Sequence, residues 1–484
     1  MSVTRMRIQN YIGGKFCDPK SGNWLDNVEP ATGKVYSQVP DSNAADIDAA
    51  VGAANAANSG WARLASDDRA GYLNRIADLI DENADELIAL ESQDNGKPES
   101  LAARVDIPRC SKNLRFFASL VTGFASESHS MPDGINYTLR QPIGTVGCIT
   151  PWNLPLYLLT WKIAPALAVG NCVIAKPSEI TPATAYRFSE LCDQAGLPAG
   201  VLNLVHGSGA SVGDALTGHA GVKAVSFTGG TQTGRHIASL VAPTFKKLAL
   251  EMGGKNPNVI FADCDYEKTI RTTLQSSFAN QGQICLCGSR VLIERPLFEK
   301  FRDDFVQRAQ KMVVGDPKDK SSQLGAVVSK AHYEKILAAI ERAKQEGGEI
   351  LCGGKPADVS GRCQDGYFIE PTVIVGLDNQ CKTNQEEIFG PVVTLQAFDT
   401  VEEAVQLAND VEYGLSASVW TGNVGLGQKV ASQIDAGVVW INCWLVRDLR
   451  TPFGGMKQSG VGREGGHEAL RFWTEPKNVC VKYG

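Results

Sequence analysis

No apolar run in this chain of 484 residues is both long and unbroken enough to cross a membrane. A spanning helix needs about 20 consecutive apolar residues. Residues 143–175 come nearest, with Lys162 as their one charge, but Pro151, Asn153, Pro155 and Pro165 interrupt them. Proline removes helix hydrogen bonds that lipid cannot replace, so the segment reads as buried α/β core. No run of five or more Lys/Arg occurs and the net charge is −6, which gives no electrostatic footprint for nucleic acid. MSVTRMRIQNYIGGKF at the start has no apolar signal core. The 13 cysteines are scattered and odd in number, and Cys285-x-Cys287 has no histidine near it in sequence. We expect free thiols in a reducing cytoplasm, and no metal site. Long-period repeats, low-complexity stretches and long linkers are also missing.

What is present is globular: 43% hydrophobic and 21% charged residues, in a chain too long for one ordinary core. The first hundred residues read as a short strand pair and then helices over 41–57 and 66–98, with a further helical pattern over 100–118. From residue 144 short β-branched runs alternate with helical stretches. GTVGCIT (144–150), CVIAK (172–176), VLNLV (201–205), VKAVSFTG (222–229) and KLALEMG (247–253) form one set. NVIFAD (258–263), VLIE (291–294), TVIVG (372–376), VVTLQAF (392–398), ASVWT (417–421) and GVVWIN (437–442) form another. Strand–helix alternation predicts parallel sheets with crossover helices, hence two α/β domains that meet near 253–257.

Several residues could carry chemistry. Cys285, in FANQGQICLCGSR, is a side chain with real nucleophilicity at neutral pH, and Gly282 and Gln283 allow a tight turn before it. A helix start is expected close to Cys285, where backbone N–H groups would lower its pKa. Taken alone, Cys285 would equally suit a buried structural thiol. Glu251 ends a strand beside a glycine pair, a place for a general base or for an ordinary ion pair. Asn153 lies between two prolines in an apolar run, so its amide could serve an oxyanion or tie down the turn. Lys176 and Glu179 follow a strand, where they could reach an adenosine ribose. Gly207, Gly209 and Gly213 are spaced one residue too widely for the usual dinucleotide fingerprint. FTGGTQTG, with Gly229 and Gly230, opens a helix after a strand and offers better phosphate geometry.

These segments in this order, with EEIFGPV (386–392) and PFGGMKQSGVGREGG (452–466), resemble the aldehyde dehydrogenase superfamily from about residue 10 to the end. The resemblance implies a Rossmann-like NAD domain (1–121 and 142–253), an α/β catalytic domain (254–442) and a small β oligomerisation arm (122–141 and 467–484). It implies that Cys285 attacks the aldehyde, that Asn153 and the Cys285 N–H hold the oxyanion, and that Glu251 activates water. Lys162 and Glu475 match proton-relay positions. Trp152, Lys176, Glu179, Gly229, Gly230, Glu387 and Phe389 match NAD contacts, with Gly209 and Gly213 in the glycine-rich turn. Gly230 stands where many relatives carry Ser. Glu179 would repel a 2′-phosphate, which favours NAD over NADP. A homodimer or homotetramer is implied.

Within the superfamily, PWNLPLYLLTWKIAPALAVGN, SSFANQGQICLCGSR and NCWLVRDLRTPFGGMK resemble the branch that oxidises 2-aminomuconate semialdehyde in tryptophan (kynurenine) and aminophenol breakdown. The 2-hydroxymuconate semialdehyde branch is its neighbour. Both substrates carry a far carboxylate. Arg447 matches a position at the substrate mouth and Arg104 the opposite wall, so two guanidiniums could clamp that carboxylate. Arg109 is an alternative partner; on a helix it points roughly 140° away from Arg104. Oxidation of another aliphatic or amino aldehyde, and a non-catalytic member of the fold, stay open.

Overall fold

The computed structural model describes residues 6–484. The first set of apolar runs forms one sheet. Five parallel strands stand in the spatial order Lys247–Glu251, Ala224–Thr228, Thr145–Ile149, Cys172–Lys176 and Leu202–Leu204. Asn10–Ile12 and Lys15–Cys17 extend this sheet antiparallel at one edge, and Gly460–Val461 pairs antiparallel with Lys247–Glu251 at the other. Strand order reverses between Thr145–Ile149 and Ala224–Thr228, which are neighbours although two other strands separate them in sequence. A crevice opens outside the carboxyl ends of such a strand pair.

The second set forms a seven-stranded sheet in the order Glu349–Cys352, Thr372–Val375, Val392–Phe398, Arg290–Glu294, Pro257–Ile260, Ser416–Trp420 and Val438–Ile441. All its pairings are parallel except the first. The apolar segment near 143–175 folds as strand, helix Pro155–Ala168 and strand. Leu156, Leu159, Ile163, Ala166 and Leu167 of that helix are fully buried in the main core. No described helix is long and apolar enough to cross a membrane.

Four local expectations change. The short strand pair expected at the start, Asn10–Ile12 with Lys15–Cys17, is followed by a second antiparallel pair, Trp24–Glu29 with Lys34–Pro40. The helical pattern over 66–98 is two helices, Ser66–Glu82 and Ala84–Asn95. Asn83 breaks it with φ −108° and ψ 23°, and its side-chain amide donates to Leu79 O at 2.8 Å. The pattern over 100–118 starts in the short α-helical turn Glu99–Leu101, passes through a π-helical turn, Ala102–Asp106, and continues as the helix Ile107–Thr122. The arm pairs Ser128–Met131 with Gly134–Pro142 and the latter with Thr474–Lys482, antiparallel throughout. Its last strand starts later than 467: Gly466–Phe472 is a helix whose Ala469 and Leu470 join the main core.

Candidate active site

The loop leaving Thr145–Ile149 and the turn leaving Ala224–Thr228 form the two lips of the crevice. A cavity of about 250 Å³ lies between them. Pro151, Trp152 and Asn153 line it from the first lip, and Thr228, Gly229 and Gly230 from the second. Gly230 caps the helix Thr231–Val241, so free backbone N–H groups and the positive helix end face the cavity. Cys285 reaches the same space from the second sheet, as do Glu387 and Phe389. The cavity thus brings together seven of the residues expected from the sequence. His332 and Lys335, which the sequence reading missed, also line it. They sit on the helix Lys330–Gln345, capped by Ser329, and no motif marks them.

Glu387 accepts from Gly254 N at 3.0 Å, and burial raises its pKa to about 7. A Cβ on Gly253 would lie 2.0 Å from Glu387 Oε2, so only glycine lets this carboxylate pass. Phe389 takes a left-handed φ of 61°. Trp152 packs edge-on against it at 5.2 Å, and the His332 ring nitrogen lies 2.7 Å from Phe389 O. Lys176 and Glu179 pair at 2.9 Å beyond the end of Cys172–Lys176, and Gly209–Gly213 forms a π-helical turn.

No helix starts at Cys285. Helix Tyr266–Phe278 ends before it, Asn280 and Gln281 are left-handed, and the next element is the strand Arg290–Glu294. A helix N-terminus therefore does not lower the thiol's pKa. Burial raises it, the Glu251 and Glu387 carboxylates raise it further, and Arg447 lowers it. The Asn153 amide donates to Gln283 O at 2.9 Å, which leaves one amide proton for a ligand. Asn153 is thus tied to the turn that presents Cys285.

Glu251 ends its strand buried, with its pKa well above the ordinary carboxylate range. Burial is the main cause, and Glu464 adds to it against Lys162, Arg447 and Arg463. Lys162 Nζ lies 2.7 Å from Glu464 Oε1 and donates to Ser226 Oγ at 2.7 Å. Glu464, not Glu475, is therefore the partner of Lys162. Glu475 lies on the arm strand, exposed and 3.1 Å from Lys247.

The arginine expectation also needs correction. Arg104 is exposed on the π-helical turn. Arg109 is the residue that meets Arg447. Its guanidinium lies over Tyr157 at 5.1 Å and Trp161 at 5.7 Å. That of Arg447 lies 4.6 Å from the Trp161 ring and 3.8 Å from that of Phe453. Burial lowers the pKa of Arg109, and Arg447 lowers it further. Arg109 Nη2 and Arg447 Nε and Nη2 are buried with no hydrogen-bond partner among the described residues. Arg447 also lines a wider cavity of about 610 Å³, between residues 111–116 and 447–450.

The aldehyde dehydrogenase family profile matches residues 16–479, and the chain belongs to that family. It is 49% identical to the 2-aminomuconic semialdehyde dehydrogenase of Bos taurus, over 99% of each chain. Against the 2-hydroxymuconic semialdehyde dehydrogenase of Pseudomonas sp. (strain CF600) the identity is 45%, covering 98% of this chain and 99% of the relative. The fold is that of solved aldehyde dehydrogenases. The NAD+ complex of the Bacillus cereus enzyme superposes with a TM-score of 0.96 at 40% identity, covering 99% of this chain and 97% of that one.

Proposed function

We propose that this chain oxidises 2-aminomuconate 6-semialdehyde, or its 2-hydroxy analogue, to the dicarboxylic acid with NAD as acceptor. The observation that carries the substrate reading is that Arg109 and Arg447 meet over Trp161 with Arg109 Nη2 and Arg447 Nε and Nη2 buried and without a hydrogen-bond partner among the described residues, Arg447 being close enough to act on the Cys285 thiol. A buried cation without a partner is costly, and a substrate carboxylate would complete both forks.

The crevice suits NAD in shape and chemistry. Gly229, Gly230 and the helix end they open would take the pyrophosphate, and Lys176 with Glu179 the adenosine ribose. Glu387 would take the nicotinamide ribose, with Phe389 against the ring. The Glu179 carboxylate disfavours a 2′-phosphate. When bound, NAD supplies a hydride acceptor.

Cys285 gives up its proton to solvent water and its sulfur bonds to the aldehyde carbon, whose C=O π pair moves onto the oxygen. The remaining Asn153 amide proton and the Cys285 N–H stabilise the oxygen that becomes negative. Loss of hydride from the carbon leaves a thioester on Cys285. Glu251 takes a proton from water as the water oxygen bonds to that carbon; the C–S bond breaks and the acid leaves. Glu251 passes its proton outward through Glu464 and Lys162. The exposed arm, with Leu139 and Val481 on its surface, suits pairing between copies of the chain. The 13 free cysteines suit a reducing, cytoplasmic setting.

NADH formation tests this reading, with 2-aminomuconate semialdehyde generated in place by coupled enzymes, its 2-hydroxy analogue, and hexanal in parallel. The expected result is strong preference for the two acidic semialdehydes. Equal or better use of hexanal would overturn the substrate assignment.

A further inference from the structure

Behind the oxyanion side of the cleft lies a lysine that none of the steps above uses. Lys97 follows Gly96, whose left-handed φ of 85° ends the helix Ala84–Asn95, and its side chain is wholly enclosed. The ammonium stands 2.6 Å from Asp106 Oδ2 and 3.7 Å from Glu91 Oε1, and it donates to the main-chain oxygen of Asn153 at 3.1 Å. Glu91 Oε1 and Asp106 Oδ1 have no hydrogen-bond partner among the described residues, so the lysine's charge is what makes their burial tolerable.

Each end of this tie meets a part of the site. The Asn153 carbonyl also accepts from Asn280 Nδ2 at 3.0 Å and Asn95 Nδ2 at 3.4 Å. A carbonyl oxygen offers two lone pairs, which the Lys97 ammonium and the Asn280 amide fill, while Asn95 Nδ2 bonds mainly to the neighbouring Trp152 O at 2.9 Å; the cationic donor is the strongest of these ties on this main chain. Asp106 is the last residue of the π-helical turn and stands three residues before Arg109, where the helix continues. Lys97 touches both segments, N-terminal to the point where Asn113 ties the Arg109 helix to Tyr157 O.

We propose that Lys97 is a positioning residue that fixes the separation between the oxyanion donor Asn153 and the guanidinium of Arg109, and so the length of aldehyde the cleft accepts. The length-setting role rests on the reading of Arg109 as a carboxylate contact. The tie to Asn153 does not. A mobile loop at either end would let the reacting carbon drift from Cys285, and a displacement of about 1 Å can cost about a hundred-fold in rate.

Lys97→Met, Lys97→Arg and Asp106→Asn test this, with kcat and KM measured for the acidic semialdehyde and for hexanal, and thermal midpoints recorded for each protein. Lys97→Met keeps the volume and removes the tie. Its kcat should fall roughly ten- to a hundred-fold with both aldehydes, and Lys97→Arg should recover part of the loss. Asp106→Asn weakens the Arg109 branch and should raise KM for the acidic semialdehyde about ten-fold more than KM for hexanal. A folded Lys97→Met protein with wild-type kcat for hexanal would overturn the proposal. So would an Asp106→Asn protein whose two KM values rise in parallel. Should Lys97→Met not fold, Asp106→Asn decides. If the wild-type protein shows no preference for acidic substrates, the Arg109 reading and the length-setting role fail together, and the hexanal kcat of Lys97→Met then decides the Asn153 branch alone.

Discussion

Arg109 and Arg447 lay their guanidiniums against one indole, that of Trp161, at 5.7 and 4.6 Å. They come from distant parts of the chain, and each leaves buried donors without a partner among the described residues. Burial lowers the pKa of Arg109, and the like charge of Arg447 lowers it further. The aromatic faces offset part of that cost through cation–π contact. A bound carboxylate would offset the rest.

Arg447 has a second effect that thiol chemistry can read. It lowers the Cys285 pKa that burial, Glu251 and Glu387 hold high. In Arg447→Met that opposition is lost, so the pKa rises and less thiolate exists at a given pH. Iodoacetamide should label Cys285 more slowly than in the wild type, with the rate profile displaced to higher pH. An unchanged profile would separate Arg447 from the nucleophile.

Glu251→Gln should stop the reaction after hydride loss. Rapid mixing with NAD and substrate should give one NADH per active subunit and then no turnover, with acyl-enzyme visible by intact mass. Continued turnover would remove Glu251 from the water-activating role.

Glu464 raises the Glu251 pKa. Glu464→Gln removes that influence, so Glu251 ionises at lower pH. The acid limb of the kcat profile for thioester hydrolysis should move downward. Glu475→Gln breaks only an exposed pair with Lys247, so kcat should hold and stability should change by less than about 1 kcal/mol. The opposite pattern would restore Glu475 to the relay.

The buried acids beside Lys97 make stability depend on pH. Burial raises the Glu91 pKa in the folded chain, above its unfolded value. The folded state therefore holds the proton more tightly. This contribution is full below the ordinary carboxylate range and is lost as pH rises through the elevated folded value. The thermal midpoint of Glu91→Gln should fall less than that of the wild type between about pH 5 and pH 8. Parallel curves would mean that Glu91 does not titrate in this range.

Much of this was legible in the sequence, for identifiable reasons. Strands such as Cys172–Lys176 are continuous apolar runs because parallel strands are covered on both faces. Cys285, Glu251 and Asn153 stand out because reactive or polar side chains lie beside glycine or proline, and the structure brings Cys285 and Asn153 to one cavity. What was missed depends on contacts remote in sequence or on irregular backbone. Lys162 and Glu464 are 302 positions apart, and nothing local to either names the other. Arg109 and Arg104 could not be told apart because a π-helical turn precedes the helix, and Arg104 belongs to its solvent side. The helix expected at Cys285 is displaced by two left-handed residues, Asn280 and Gln281. Lys97 gave no signal, because a buried lysine looks like any other until its partners are in place.

The most direct test of the central claim is the ratio of kcat/KM for the acidic semialdehyde to that for hexanal, in the wild type and in Arg109→Met and Arg447→Met. Each charge-assisted hydrogen bond is worth about 1.5–3 kcal/mol. Either substitution should therefore lower the ratio by roughly ten- to a hundred-fold, nearly all of it through the acidic substrate. Equal losses with both aldehydes, or none, would contradict the carboxylate clamp.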